Sequence, residues 1–246
     1  MVFKTLYLGL SRAIIITVFV LYSAFSFANA VTKHPFPDVA NFNSTQTGGD
    51  PATWGITQDK TGRMFFANGY GVLIFDGNSW ISTTLNSELP ARSIATDPDG
   101  NVLVGGIGNF GYISTSSSGK PIYKSLNKFL DQDSYSTKDI VYETIPLEDG
   151  TIFFRTKHHI LFYQDRKFKV IEAPSGKRFG VSRELNGKLY VPVERGLLQE
   201  VRNQELHVVP GSEIFVGKSI SGMSYNSRNN LIVFTRSSGA YELRIS

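Results

Sequence analysis

The sequence has no cysteine, and it holds only four histidines, three methionines and two tryptophans among 246 residues. Without cysteine there are no disulfide scaffolds, no thiolate metal sites and no cysteine nucleophile. An excess of one charge sign is also missing. Lysine and arginine total 25 against 21 acidic residues, and Lys4 and Arg12 fall in the N-terminal leader. What remains is too balanced for a nucleic-acid binder, which carries a dense basic stripe. After Val31 no run is long and apolar enough to cross a bilayer. Helical periodicity is absent too, apart from a short turn around Ser125 to Leu130.

The first thirty residues read as an address. Lys4 and Arg12 precede an apolar run from Ala13 to Phe27, and Ala28-Asn29-Ala30 follows. A basic start, a short apolar stretch and an A-x-A end make a secretory signal peptide over 1–30. The expected location is the periplasm. Residues 31–49 read as a linker or edge segment, and 50–246 as the structured part.

That structured part repeats. The unit is a short strand, an Asp/Asn-Gly turn, a strongly apolar strand, a polar or glycine turn and a further strand. Copies run from Trp54 to Trp80, Arg92 to Ser116, Tyr142 to Phe168, Phe179 to Val201 and Ile220 to Ile245. The turn anchors are Gly62, Gly100, Gly150, Gly187 and Asn230. The period is about forty residues, that of four-stranded propeller blades rather than of solenoid repeats. Met64-Phe65-Phe66, Val102-Leu103-Val104, Ile152-Phe153-Phe154, Leu189-Tyr190-Val191 and Leu231-Ile232-Val233-Phe234 are unbroken apolar runs. Such runs suit strands buried on both faces. A lone blade cannot bury both faces, whereas blades stacked around an axis can. The expected fold is therefore an all-β propeller of four-stranded antiparallel blades, and a β-sandwich is the weaker alternative.

Two stretches carry a resemblance. Ile56 to Gly77 reads ITQDKTGRMFFANGYGVLIFDG, and Val104 to Ile113 reads VGGIGNFGYI. The first resembles the two-component regulator propeller repeat. The second is similar to a V-G-G-x-x-x-F-G-Y motif of periplasmic sensors of that type. Copies three to five match mainly in period. The resemblance implies a periplasmic propeller, followed in such proteins by an Ig-like domain, a transmembrane helix and a cytoplasmic output module. It also implies closure with about seven blades, within the range that propellers adopt. The expectation is an N-terminal piece of a longer sensor, with a closed five-bladed ring as the competing arrangement. Membrane attachment is expected only through the signal peptide or a missing C-terminal part.

Catalytic patterns are sparse, and the chain is expected not to be an enzyme and to need no cofactor. His158 and His159 are adjacent, with no nearby carboxylate in sequence, so they read as a turn pair and not a metal site. Asp97 and Asp99 read as turn formers. Gly105-Gly106-Ile107-Gly108 lacks the helix and Lys-Ser/Thr of a phosphate loop. Asn43-Ser44-Thr45 matches a glycosylation acceptor, of little weight in a bacterial-style export context.

The candidate site is the propeller mouth. Blade starts carry Trp54, Arg92, Tyr142, Arg178 and Ser221, and the second-to-third strand turns carry Tyr70, Asn109, Lys157, Arg195 and Arg236. Basic groups with aromatic neighbours suit an anionic or saccharide-like ligand. The functional expectation is a ligand- or partner-sensing module, able to form a homodimer through a sensor assembly. A propeller carbohydrate-active enzyme and a non-catalytic protein scaffold are the alternatives.

Overall fold

The apolar runs become the second strands of five sheets, and each run lies between the neighbours that bury it. The computed structural model describes residues 39–86, 89–131, 135 and 138–244; the signal-peptide segment lies outside them. Blade 1 comprises β1 (Thr53–Gln58), β2 (Met64–Asn68), β3 (Gly71–Phe75) and β4 (Trp80–Thr83). Blade 2 comprises β5 (Ala91–Thr96), β6 (Val102–Gly106), β7 (Phe110–Thr115) and β8 (Pro121–Ser125). Blade 3 holds β9 (Glu143–Pro146), β10 (Ile152–Arg155), β11 (His159–Gln164) and β12 (Lys167–Glu172). Blade 4 holds β13 (Arg183–Leu185), β14 (Lys188–Pro192), β15 (Leu198–Arg202) and β16 (Glu205–Val208). The last sheet has three strands, β17 (Ile220–Tyr225), β18 (Leu231–Thr235) and β19 (Ala240–Leu243). All pairs are antiparallel and follow chain order, as in propeller blades.

Each interface between successive blades has its own apolar cluster. Phe65, Ala67, Val72 and Ile74 of blade 1 meet Val102 and Val104 of blade 2. Phe110 meets Phe154 and Leu161 between blades 2 and 3. Phe153, Ile160 and Phe162 meet Leu189 and Val191 between blades 3 and 4. Tyr190 and Leu198 meet Met223, Leu231 and Val233 between blades 4 and 5. Alternate residues of one strand thus serve two different interfaces, which is why the runs are continuous.

The turns between first and second strands are built by side chains. Asp59 Oδ1 accepts the N–H groups of Thr61 and Arg63, and Asp97 Oδ1 accepts that of Asn101. Asp149 serves Thr151, and Asn226 serves Arg228 and Asn230. Three residues after Asp59, Gly62 has φ +89°. Three residues after Asn226 the left-handed position falls on Asn229, with φ 61°, and not on the expected anchor Asn230. Asparagine tolerates that conformation better than other residues with a Cβ.

Part of the presumed linker is structured. Ser44–Thr47 forms a single helical turn, α1, whose cap Asn43 accepts Gln46 N–H and donates its own N–H to Gln46 Oε1. Phe42 packs on Phe75 and Trp80 of blade 1. The turn foreseen near Ser125–Leu130 is a 3-10 helix at Asn127–Phe129, and a second one spans Ser212–Phe215. No helix among the described residues is long and apolar enough to cross a membrane.

Candidate ligand-binding mouth

Antiparallel order puts the start of each first strand and the second-to-third strand turn at the same end of a blade. The first strands pack side by side, β1 on β5, β5 on β9 and β13 on β17. Their starting residues therefore gather at one mouth.

A β-bulge recurs at this point. The ladder skips a residue between Thr53 and Gly55, between Ala91 and Ser93, and between Ile220 and Gly222. The extra residues are Trp54, Arg92 and Ser221. In blade 3, Glu143 pairs with Arg155, and Tyr142 N–H also reaches Arg155 O, so Tyr142 is the extra residue. In blade 4, Phe179 bridges Val193 and Gly180 N–H reaches Pro192 O, so Gly180 takes the place. A bulge re-aims one side chain out of the alternating pattern. The ring of bulge residues is thus Trp54, Arg92, Tyr142, Gly180 and Ser221. Arg178, expected at a blade start, lies two residues before the bulge and is ion-paired with Glu194 at 2.7 Å.

Two aromatic–arginine pairs mark this ring. The Arg92 guanidinium carbon lies 3.9 Å from the centre of the Trp54 ring. Trp54 remains 42% exposed, and Arg92 Nε is buried without a hydrogen-bond partner. Stacking on an indole leaves the edge of a guanidinium available for a carboxylate or phosphate. Tyr142, 40% exposed, lies over Arg155 at 5.5 Å. Arg155 itself is buried, and its Nε donates to Glu143 Oε2 at 2.6 Å. The same carboxylate accepts Ser182 N–H from blade 4 at 2.9 Å. Sequence reading missed Glu143 and Arg155, although both lie beside Tyr142 in the repeat register.

The other turn residues have varied surroundings. Tyr70 is exposed, and its N–H donates to the buried Asn68 side chain. Asn109 is buried, and its amide donates to Ile107 O, which holds the turn. Lys157 is exposed, and its carbonyl accepts Phe179 N–H from the next blade. Arg195 has φ 52° and donates to Gly217 O at 3.3 Å. Arg236 is exposed, and its N–H donates to Ser219 O. The side chains of two expected site residues, Trp54 and Arg92, are stacked on one another.

The histidine pair separates. His158 Nδ1 lies 3.3 Å from Lys177 O. His159 Nδ1 lies 2.9 Å from Asp139 Oδ2, which comes from the blade 2–3 connection, and Thr156 Oγ1 donates to the same oxygen. Tyr135 packs its ring edge-on to His159. Burial, with the Asp139 charge second, pushes the Tyr135 hydroxyl well above the ordinary tyrosine range. Among the described residues, no three His, Asp or Glu side chains converge as a metal site.

No family model matches the chain, and no curated protein matches it in sequence. Solved structures do match in fold. Virginiamycin B lyase from Staphylococcus aureus superposes with a TM-score of 0.55 at 15% identity, over 82% of this chain and 71% of that one. The extracellular domain of a hybrid two-component system from B. thetaiotaomicron gives 0.57 at 14% identity, over 85% of this chain. This chain spans 29% of the length of that structure. YCF48 bound to D1 peptide gives 0.51 at 10% identity, over 78% of this chain and 64% of that one. At these identities the likeness is one of fold, and the fold of this chain is that of propeller blades.

Proposed function

We propose that this chain is a periplasmic sensing module of a signal-transduction protein, which binds an anionic or saccharide-like ligand at its mouth. The observation that carries the reading is the Arg92–Trp54 stack at 3.9 Å, with a half-exposed indole. An acidic sugar offers an apolar ring face to the indole and a carboxylate to the guanidinium edge. Tyr142 adds a second aromatic surface on the same ring of bulges. The likeness to an extracellular domain of a two-component system fits an exported sensor.

The test uses a Trp80→Phe variant, which leaves Trp54 as the sole indole. Its fluorescence is titrated with uronic-acid oligosaccharides and with neutral oligosaccharides of the same length. The reading expects a saturable change with the acidic series. It also expects Arg92→Ala to weaken that binding about tenfold or more, as for a lost charge-assisted hydrogen bond. A flat response to the whole acidic series would overturn the ligand assignment.

A second reading has one observation in its favour. The Asp139–His159 pair, with Tyr135 beside it, has the form of an oriented base. The lyase likeness points the same way in fold alone. Turnover of an acidic oligosaccharide that is abolished by His159→Ala, with binding retained, would favour the enzyme over the sensor.

A further inference from the structure

A groove of about 540 Å³ runs along the outer side of the seam between blades 2 and 3. Tyr112, Lys124, Lys128, Phe129, Tyr163 and Arg166 line it, among others. Tyr112 comes from β7 and Lys124 from β8, and the 3-10 helix Asn127–Phe129 supplies Lys128 and Phe129. Blade 3 supplies Tyr163 from β11 and Arg166 from the β11–β12 turn. Blade 2 is packed between blades 1 and 3, and blade 3 between blades 2 and 4, so both walls are fixed by the chain itself.

The cations of this groove are unspent. Other cations hold carboxylates: Arg63 has Asp59, Lys169 has Glu205, Arg178 has Glu194 and Arg202 has Glu200. Among the described residues, Lys124, Lys128 and Arg166 have no ion-pair partner, and no carboxylate lines the groove. Lys124 stands directly opposite Tyr112, so the two share a sheet face, and Tyr112 packs on the blade 2–3 cluster. Arg166 is the second residue of a two-residue hairpin turn, with φ 61° after Asp165 at 50°. Glycine is the favoured residue there. Gln204 holds the same place in blade 4, and its amide crosses the blade 3–4 seam to Gln164 Oε1 at 2.9 Å. The Arg166 side chain lines the preceding seam in the corresponding way, but among the described residues it meets no hydrogen-bond acceptor. The rings are fixed in advance. Tyr112, Phe129 and Tyr163 all pack on the blade 2–3 cluster, and the Phe129 and Tyr163 rings lie 6.0 Å apart. The Lys128 ammonium lies 4.9 Å from the centre of the Phe129 ring. Burial, with Tyr112 second, holds the Tyr163 hydroxyl above its ordinary value, so it remains a donor. Groups held in place this way lower the ordering cost of binding.

We infer that this groove is a second ligand site, for a ring compound that carries several phosphate or sulfate esters. The ester oxyanions bridge Lys124, Lys128 and Arg166, and the ring lies against Phe129 and Tyr163. Two lysines act as point charges, without the planar fork that matches a carboxylate, so a multiply charged oxyanion fits them better than a single carboxylate. The groove lies on third and fourth strands, whereas the bulge ring lies on first strands. The inference therefore stands or falls apart from the mouth ligand.

The test is isothermal titration calorimetry of the whole chain at about 0.15 M salt, which screens diffuse surface charge. The probes are inositol hexakisphosphate, inositol hexasulfate and free inositol. At least one ester should bind 1:1, and their order of affinity tells phosphate from sulfate, while free inositol should give no heat. Arg166→Gly should weaken that binding about tenfold or more, as for a lost charge-assisted hydrogen bond. Its thermal unfolding should not fall, because glycine suits the turn. Lys128→Ala, at an exposed position, should weaken binding in the same direction. Arg228→Ala removes an exposed arginine of blade 5 and should leave the affinity unchanged. Two silent esters overturn the inference, and so does an Arg166→Gly variant that binds as the wild type does. An equal loss in Arg228→Ala also overturns it, since the attraction would then be one of overall charge. Binding of polyglutamate in place of both esters would overturn it as well and assign the groove to an acidic protein segment.

Discussion

The turns at one end of the blades and the aromatic bulges at the other differ in what their side chains do. At the end away from the mouth, carboxylates and amides close turns. Asp97, Glu148, Asp149 and Glu184 line a groove of about 510 Å³ there. Yet Asp97 is bonded to Asn101, Asp149 to Thr151 and Glu184 to Gly187. Those acceptors hold the backbone, and the acidic lining follows from turn chemistry. At the mouth Ser221 and Asn109 also bond backbone carbonyls, but the aromatic side chains on the bulges have no such duty. Trp54 and Tyr142 are half exposed, and Arg92 Nε has no partner. The acidic groove is therefore a weaker pointer to a site than the half-exposed Trp54–Arg92 stack.

The comparison can be broken first at the mouth. Glu143→Ala leaves Arg155 buried without its carboxylate, and a loss of about 3–5 kcal/mol is expected, as for one partner removed from a buried pair. Urea unfolding measures it, and a loss near that of a surface pair would mean that the mouth end is as solvated as the other. At the opposite end, Asp97→Ala removes one turn-closing acceptor, and a loss of about 1 kcal/mol is expected from capping effects of that kind.

Acid should act on the turn-forming carboxylates. Burial opposes ionisation of Asp59, but hydrogen bonds from Thr61 and Arg63 outweigh it and hold the carboxyl below its ordinary value. The Ser79 and Asn78 N–H groups lower Asp76 in the same direction. A lowered carboxyl contributes fully above the unfolded value, about 4, and that contribution is lost as pH falls through the folded one. Thermal melts should thus weaken below about pH 4, and Asp59→Asn should flatten the slope. A slope unchanged by Asp59→Asn would remove this role. The smallest effect is expected for Arg178→Ala. Its exposed pair with Glu194 is worth about 0–1 kcal/mol. Ligand titration of Trp54 should be unaltered, and a tenfold loss of binding would return Arg178 to the ring.

The strands and most turns were legible because their signals are local. Apolar runs such as Phe65-Phe66 and Asp-x-x-Gly turns such as Asp59 to Gly62 need only their own neighbours. The blade-start ring was legible in four blades, at Trp54, Arg92, Tyr142 and Ser221, and misplaced only in blade 4. There the sequence reads Arg178-Phe179-Gly180-Val181, and the extra residue of a bulge has no composition of its own, so the arginine drew attention from the glycine. The left-handed position at Asn229 was displaced by one for a similar reason, since Asn229 and Asn230 are both permissive. Contacts between blades were not legible at all. Asp139 meets His159 across twenty positions of chain, half a repeat; Glu143 meets Ser182 across thirty-nine, near one repeat, but the rhythm alone does not say which side chains meet. The helical turn at Ser44–Thr47 escaped because four residues are too few to show a period.

The recurring bulge has a consequence for how such a protein can change. Because its residue stands outside the alternation, a new side chain there disturbs neither of the two apolar layers. Trp, Arg, Tyr, Gly and Ser already occupy that one place in five successive sheets. The mouth is in effect a short inscription on a fixed frame, and it can be rewritten one letter at a time while the frame stays the same.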